Sequence, residues 1–307
     1  MTQDPTRVIL IVGTGRSGST LLGNSLGALP HVFSAGEVRF AWERGLAEDA
    51  MCGCRQPVRS CHVWRDTFEL AFGSVPSVSD AASFHGRLKA ATRLRTLPRY
   101  LRGEVSNEQR ELAATIGRVH RAFAAVTGAK VVVDSSKLPT YAALLGLSPG
   151  LDIRMVHLVR DPRATAFSWQ RLQASQVAEG FEESMDRFSI AKSTLLWTVW
   201  NGVIPSLLGA WGSPTLTIRY EDLVASPDST LQMVLAHADI RDAEFRFATD
   251  GSLDLEPSHN IAGNPNRLRY GRTYFRHDTE WGTAMKPISR VGASLISWPI
   301  RGRFGYH

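Results

Sequence analysis

Cysteine is scarce in this chain, and its three copies, Cys52, Cys54 and Cys61, sit together in one short stretch of 307 residues. A scaffold stapled by disulfides needs cysteines distributed along the sequence, so that class is excluded. Long apolar runs are missing too: no segment reaches the 18 or so residues of a membrane-spanning helix. The opening MTQDPTR has no apolar export core, which leads us to expect a cytoplasmic protein with no integral membrane segment. There is no internal repeat, no low-complexity segment and no block of like charge that would mark a nucleic-acid-binding tail. What the chain does have is a modest excess of positive charge, 35 Lys and Arg against 29 Asp and Glu, net +6. That balance suits nucleic acid, a membrane surface or a small polyanion. The basic residues scatter and the aromatics lie within apolar runs, which disfavours a basic nucleic-acid-binding protein.

A lysine is missing where a nucleotide-hydrolysing loop needs one. In VILIVGTGRSGSTLL, Val8 to Leu22, a mostly β-branched apolar run enters a Gly-rich turn, after which Leu21, Leu22 and Leu26 take helical spacing. The stretch reads as strand, loop and helix. Gly13, Gly15 and Gly18 let the backbone turn so that successive N–H groups and the helix N-terminus face one point, where a phosphate is stabilised. Gly13, Thr14, Gly15, Arg16, Ser17, Gly18, Ser19 and Thr20 have the spacing of a Walker A loop, but Ser19 holds the lysine position and the cation is Arg16. An ATP-dependent P-loop phosphotransferase is therefore the alternative enzyme; it is weakened by Ser19 and by Asp134 being the only strand-end carboxylate available for Mg²⁺.

Further strand-then-helix units follow. The first helix should end near Leu29-Pro30 and His31 to Ala35 should be extended. Arg110 to Thr127 has helical apolar spacing with Gly128 as C-cap. Lys130 to Asp134, Arg154 to Arg160 and Leu216 to Tyr220 read as strands, Arg163 to Gln173 as a helix, and Leu195 to Trp211 as a core helix. The pattern predicts an α/β fold, a P-loop-type central parallel sheet flanked by helices, with ligands at the carboxyl ends of the strands. We expect one domain over 1–307, with 41–128 as a helical and loop insertion or lid. The arginines of that region, Arg87, Arg93, Arg95, Arg99 and Arg102, suit a solvated helix face better than an acidic acceptor. Cys52, Cys54, Cys61 and the following His62 can supply four soft ligands to zinc. The spacing is not that of a standard finger, and a short disulfide or buried free thiols fit equally, so no residue is assigned to a metal.

Arg16, Lys137 and Arg160 each follow a strand, and three cations around one Gly-rich loop imply a ligand with more than one phosphate-like group. Arg160 and Ser168, eight residues apart, can reach a single phosphate beside their helix. GTGRSGSTLL, then GE, then DSSK, then HLVRDPRATAFS, in that order, resembles the sulfotransferases that use 3′-phosphoadenosine-5′-phosphosulfate (PAPS), especially bacterial members and the carbohydrate and tyrosylprotein enzymes. The likeness covers residues 7–40 and 129–224 and extends to HNIAGNPNR in the tail. It implies that Gly13 to Thr20 hold the 5′-phosphosulfate, with Arg16 on its oxygens, and that Arg160 and Ser168 hold the 3′-phosphate. It places Lys137 on the leaving group and Arg267 on the 3′-phosphate or adenosine. It also implies in-line sulfuryl transfer to a hydroxyl, PAP as product, no required metal, and Glu37 as the general base. His31 and His157 are weaker rivals, one a turn residue and the other inside an apolar strand. The acceptor, whether small molecule, carbohydrate or peptide, is set by 41–128, the segment around Gln173 to Ile190 and the tail, and no pattern there identifies it.

Overall fold

The computed structural model describes residues 4–307 apart from positions 172, 173, 179, 180, 185, 186, 211, 213, 242, 264 and 269. The chain begins with β1 (Thr6–Gly13), α1 (Ser19–Gly27) and β2 (Val32–Gly36), then a π-helical turn over Ala41–Ala47. Four helices follow, α2 (His62–Phe72), α3 (Val78–Ala91), α4 (Leu97–Leu101) and α5 (Asn107–Thr127). The chain then alternates β3 (Val131–Lys137), α6 (Pro139–Leu145), β4 (Leu151–Val159) and α7 (Pro162–Ser168). A hairpin, β5 (Ala174–Ala178) and β6 (Phe181–Ser184), precedes α8 (Ile190–Ala210), β7 (Thr215–Arg219), α9 (Tyr220–Ala225) and α10 (Pro227–His237). The tail contains a two-stranded pair, β8 (Leu253–Leu255) and β9 (Gly271–Thr273), then α11 (Trp281–Ala284) and α12 (Pro287–Arg301).

Five strands form the main sheet in the order β2-β3-β1-β4-β7, and every pairing is parallel. Parallel strands need crossover helices, which cover both faces of the sheet, so an inner strand is apolar on both sides. β1 shows this directly. Val8, Leu10 and Val12 enter a core shared with Leu112, Ile116 and Phe123 of α5, whereas Ile9 and Ile11 face Leu22 and Leu26 of α1 and Leu231 and Val234 of α10. The fold is thus α/β, a central parallel sheet flanked by helices. Among the described residues no helix is long and apolar enough to cross a membrane.

Helix boundaries follow local chemistry where it is strong. α5 starts at a reciprocal capping box of Ser106 and Gln109 and stops at Gly128, whose φ of 67° few other residues adopt. α7 opens with Pro162 after Asp161, whose carboxylate accepts from the Arg163 amide at 2.7 Å. It is shorter than expected, ending at Ser168 with no Gly or Pro to mark the stop; Gln173 lies outside the described residues. α8 begins five residues before the expected Leu195, and Trp211 also lies outside the described residues. Within 41–128, α5 forms part of the layer against the sheet. Arg87 pairs with Glu108 and Glu111 on an exposed face, and Arg102 with Glu104.

Candidate active site

The carboxyl ends of β1, β2, β3 and β4 meet at one cavity of about 1080 Å³, at the upper limit of small-molecule sites, roughly 300–1,000 Å³. The chain passes from β1 to β2 on one side and reaches β4 on the other, so the crevice opens where the winding reverses. After Gly13 the loop turns tightly. Arg16 holds a φ of 67°, and the Ser17 hydroxyl donates to the Thr14 carbonyl at 2.8 Å, closing the turn on itself. A side chain at Gly18 would put its Cβ 2.4 Å from the Tyr220 ring, so the loop can lie under that aromatic only as glycine. Thr14, Gly15, Arg16, Gly18, Ser19 and Thr20 all line the cavity.

Two irregularities in the sheet bring the next pair together. Between Leu10 and Val12 of β1 the partner strand advances from Asp134 to Lys137, and between Ser34 and Gly36 of β2 it advances only from Val133 to Asp134. Such bulges re-aim side chains at strand ends. Lys137, with φ 63°, places Nζ 2.6 Å from Glu37 Oε1 and also donates to the Ser135 carbonyl at 3.1 Å. Only 12% of the Lys137 side chain and 6% of the Glu37 side chain are exposed, so the pair sits in low dielectric, facing the cavity. Burial pushes the Lys137 ammonium below its usual value, with the Glu37 charge opposing.

The opposite wall is cationic. Arg160 donates Nη1 to the Arg16 carbonyl at 3.1 Å and Nη2 to Asp278 at 2.9 Å, and lies over the Tyr220 ring at 4.5 Å. Arg171 pairs with the same Asp278 at 3.0 Å and with Glu280. Arg16 lies 5.0 Å from the Trp169 ring centroid; burial first and the charge of Arg160 second lower it to about 10. Burial works against the Asp278 charge, yet Arg160 and Arg171 hold its carboxyl below the usual range. Nine basic side chains and two carboxylates line the cavity among the described residues. The buried Thr14 hydroxyl and the Nε atoms of Arg160 and Arg171 have no hydrogen-bond partner among the described residues. Orphaned buried donors beside an excess of cations fit a polyanionic ligand.

Glu37, Arg16, Lys137, Arg160 and Ser168, expected from the sequence, thus share one cavity. Arg267 does not. It is buried away from the cavity lining and its Nη2 donates to the Met51 carbonyl at 3.2 Å. Of the rival bases, His31 is exposed in its turn, and His157 is fully buried with Nε2 2.9 Å from Asn201 Oδ1, lowered by burial to about 4. Asp134 is fully buried and engaged by Ser136, Tyr141 and His120, so it offers no carboxylate to Mg²⁺ at the cavity. Sequence reasoning passed over Arg39, Arg171, Trp169, Tyr220 and Asp278 as lining residues. Arg39 stood two positions after Glu37, and Arg171 lay within the expected helix; Asp278 gave no signal.

The model of the sulfotransferase family matches residues 8–244. No curated protein matches the chain. Among solved structures, the sulfotransferase domain from the Synechococcus PCC 7002 olefin synthase is similar at 18% identity, over 99% of this chain and 96% of that one, with a TM-score of 0.48. The sulfotransferase from Alicyclobacillus acidocaldarius is similar at 14% identity, over 97% of each chain, with a TM-score of 0.36.

Proposed function

The chain belongs to the sulfotransferase family, enzymes that transfer a sulfuryl group, and from that premise we propose that it moves the group from PAPS to an acceptor hydroxyl. The observation that carries the reading is the buried Glu37–Lys137 pair, 2.6 Å apart beside the Gly-rich loop and in one cavity with Arg16, Arg160 and Ser168. The donor supplies a sulfuryl group already bonded to a phosphate that leaves readily. The loop amides and Arg16 face the point where negative charge grows, and Lys137 lies within reach of the same end of the cavity. Donors fixed before the reaction stabilise that charge without reorganisation, each worth about 3–4 kcal/mol. Glu37 takes the proton of the acceptor hydroxyl, its carboxylate held in place by Lys137. Arg160 and Ser168, joined by Arg171, hold a second phosphate at the far wall; Arg267 falls outside that set. None of these roles calls on a metal.

We also assign the chain to a single sulfotransferase-like domain, with 41–128 contributing Arg44 and Arg55 to the cavity rim. The test is acceptor-dependent formation of PAP from PAPS across a panel of sugars, phenols, lipid hydroxyls and tyrosyl peptides. Wild type should form PAP with at least one class, and Glu37→Gln should bind PAP normally while losing turnover by roughly 10²-fold or more. Near-normal turnover in Glu37→Gln removes it as the base.

A further inference from the structure

Three thiols and an imidazole converge outside the cavity, and we infer that Cys52, Cys54, Cys61 and His259 bind a structural zinc ion. The inference is independent of the sulfuryl-transfer reading. Their ligand atoms all lie within 4.8 Å of one another. Cys54 Sγ is 3.6 Å from Cys61 Sγ, and His259 Nδ1 is 3.2 Å from Cys61 Sγ and 3.8 Å from Cys52 Sγ. A tetrahedral zinc with Zn–S near 2.3 Å and Zn–N near 2.0 Å separates its ligand atoms by roughly 3.5–3.8 Å, the scale found here. Thiolate and neutral imidazole are zinc's preferred soft and borderline ligands, and four protein ligands leave no open position, so the site is closed and structural.

The backbone is built to bring a distant histidine to the cysteines. Arg55, with φ 66°, turns the chain so that its amide donates to the Cys52 carbonyl at 2.8 Å, which gathers Cys52 and Cys54. Cys61 stands at the residue just before α2. A Cβ at Gly53 would lie 2.4 Å from the Ser258 carbonyl oxygen, so only glycine lets the tail come this close. The Gly53 amide donates to the Asn260 carbonyl at 2.9 Å and the Trp64 indole to the His259 carbonyl at 2.7 Å, which fixes His259 from both sides. His62, the neighbour of Cys61 in sequence, instead meets the His259 ring edge-on, centroids 5.3 Å apart.

Beyond His259 the tail runs directly to the cavity. Asn260 Nδ2 donates to Asn24 Oδ1 of α1 at 2.9 Å, and a Cβ on Gly263 would be 2.9 Å from Glu37 Oε1. The zinc therefore anchors the segment that backs Glu37, joining two parts of the chain about 200 residues apart in sequence.

The test is elemental analysis of the full-length protein purified under reducing conditions without chelator. One zinc per chain is expected, falling at least tenfold in Cys54→Ser, Cys61→Ser and His259→Ala and unchanged in His62→Ala. Should the cysteine variants not fold, wild type alone decides: after zinc removal, cobalt(II) should give the visible bands of a tetrahedral thiolate site, abolished by adding zinc. Wild-type protein that carries no zinc and takes up neither metal overturns the proposal. Thiol titration then distinguishes three free cysteines from a Cys54–Cys61 disulfide. Full zinc in His259→Ala, or its loss in His62→Ala, overturns the assigned ligand set.

Discussion

Arg160 meets three groups at once, the Arg16 carbonyl, Asp278 and the face of Tyr220, which fixes its guanidinium before any ligand arrives. In the proposed site it holds a phosphate with Ser168. Arg160→Ala and Ser168→Ala should therefore weaken PAP binding far more than binding of adenosine 5′-phosphosulfate, which lacks the 3′-phosphate; calorimetric titration of both ligands checks this, and equal losses contradict it. Asp278 occupies part of the same cationic wall, bridging Arg160 and Arg171. Its carboxylate repels an incoming dianion, so Asp278→Asn should tighten PAP binding, by roughly tenfold if about 1.4 kcal/mol of repulsion is removed; weaker binding would instead show that Asp278 serves to position the arginines. Arg16, Lys137 and Arg160 were readable from the sequence because each follows an apolar run at its end. Asp278 was not, because it lies more than a hundred residues from its partners in a tail without periodicity. His259 was hidden in the same way: adjacency pointed to His62, whereas the backbone turn and Gly53 bring the tail histidine to the cysteines.

The elements that position the site are β1, β3 and β2, with irregular register in both pairings. Gly13 closes β1 with φ 143°, and a Cβ there would lie 2.4 Å from the Leu158 carbonyl oxygen of β4. Gly13→Ala should thus cost more than about 1 kcal/mol of stability, read as a lower urea midpoint at unchanged slope. Within β4, His157 is buried, hydrogen-bonded to Asn201 of α8, and lowered from an ordinary 6.5 to about 4. The unfolded chain binds this proton more readily, so the contribution is complete above pH 6.5 and is lost as pH falls toward 4, about 3 kcal/mol in all. His157→Gln removes the titration and should show a shallower loss of stability between pH 6.5 and 4 than wild type; parallel curves would contradict this. The five strands of the main sheet, the Gly128 end of α5 and the order of units were legible, since continuous apolar runs and a Gly cap encode them locally; the Ser106–Gln109 cap that starts α5 went unread. The bulges that join Glu37 to Lys137 were not, because register depends on which strands pair. The end of α7 at Ser168 had no breaker to announce it.

For the whole molecule, a net charge of +6 is concentrated in use: among the described residues, nine basic side chains line one cavity at the carboxyl edge of the sheet. The central claim is that this cavity binds an adenine nucleotide with separate 5′- and 3′-phosphates and does so without Mg²⁺. Thermal unfolding with PAP, ATP, ADP or AMP, each with and without Mg²⁺, tests it most directly. A ligand at about a hundred times its dissociation constant adds roughly 2.7 kcal/mol, a rise of several degrees for a chain of this size. The account predicts that rise for PAP, the same with or without Mg²⁺, and little from AMP. Stabilisation by ATP with Mg²⁺ and none by PAP would contradict it, and the proposed roles of Arg160, Ser168 and Glu37 would fall together.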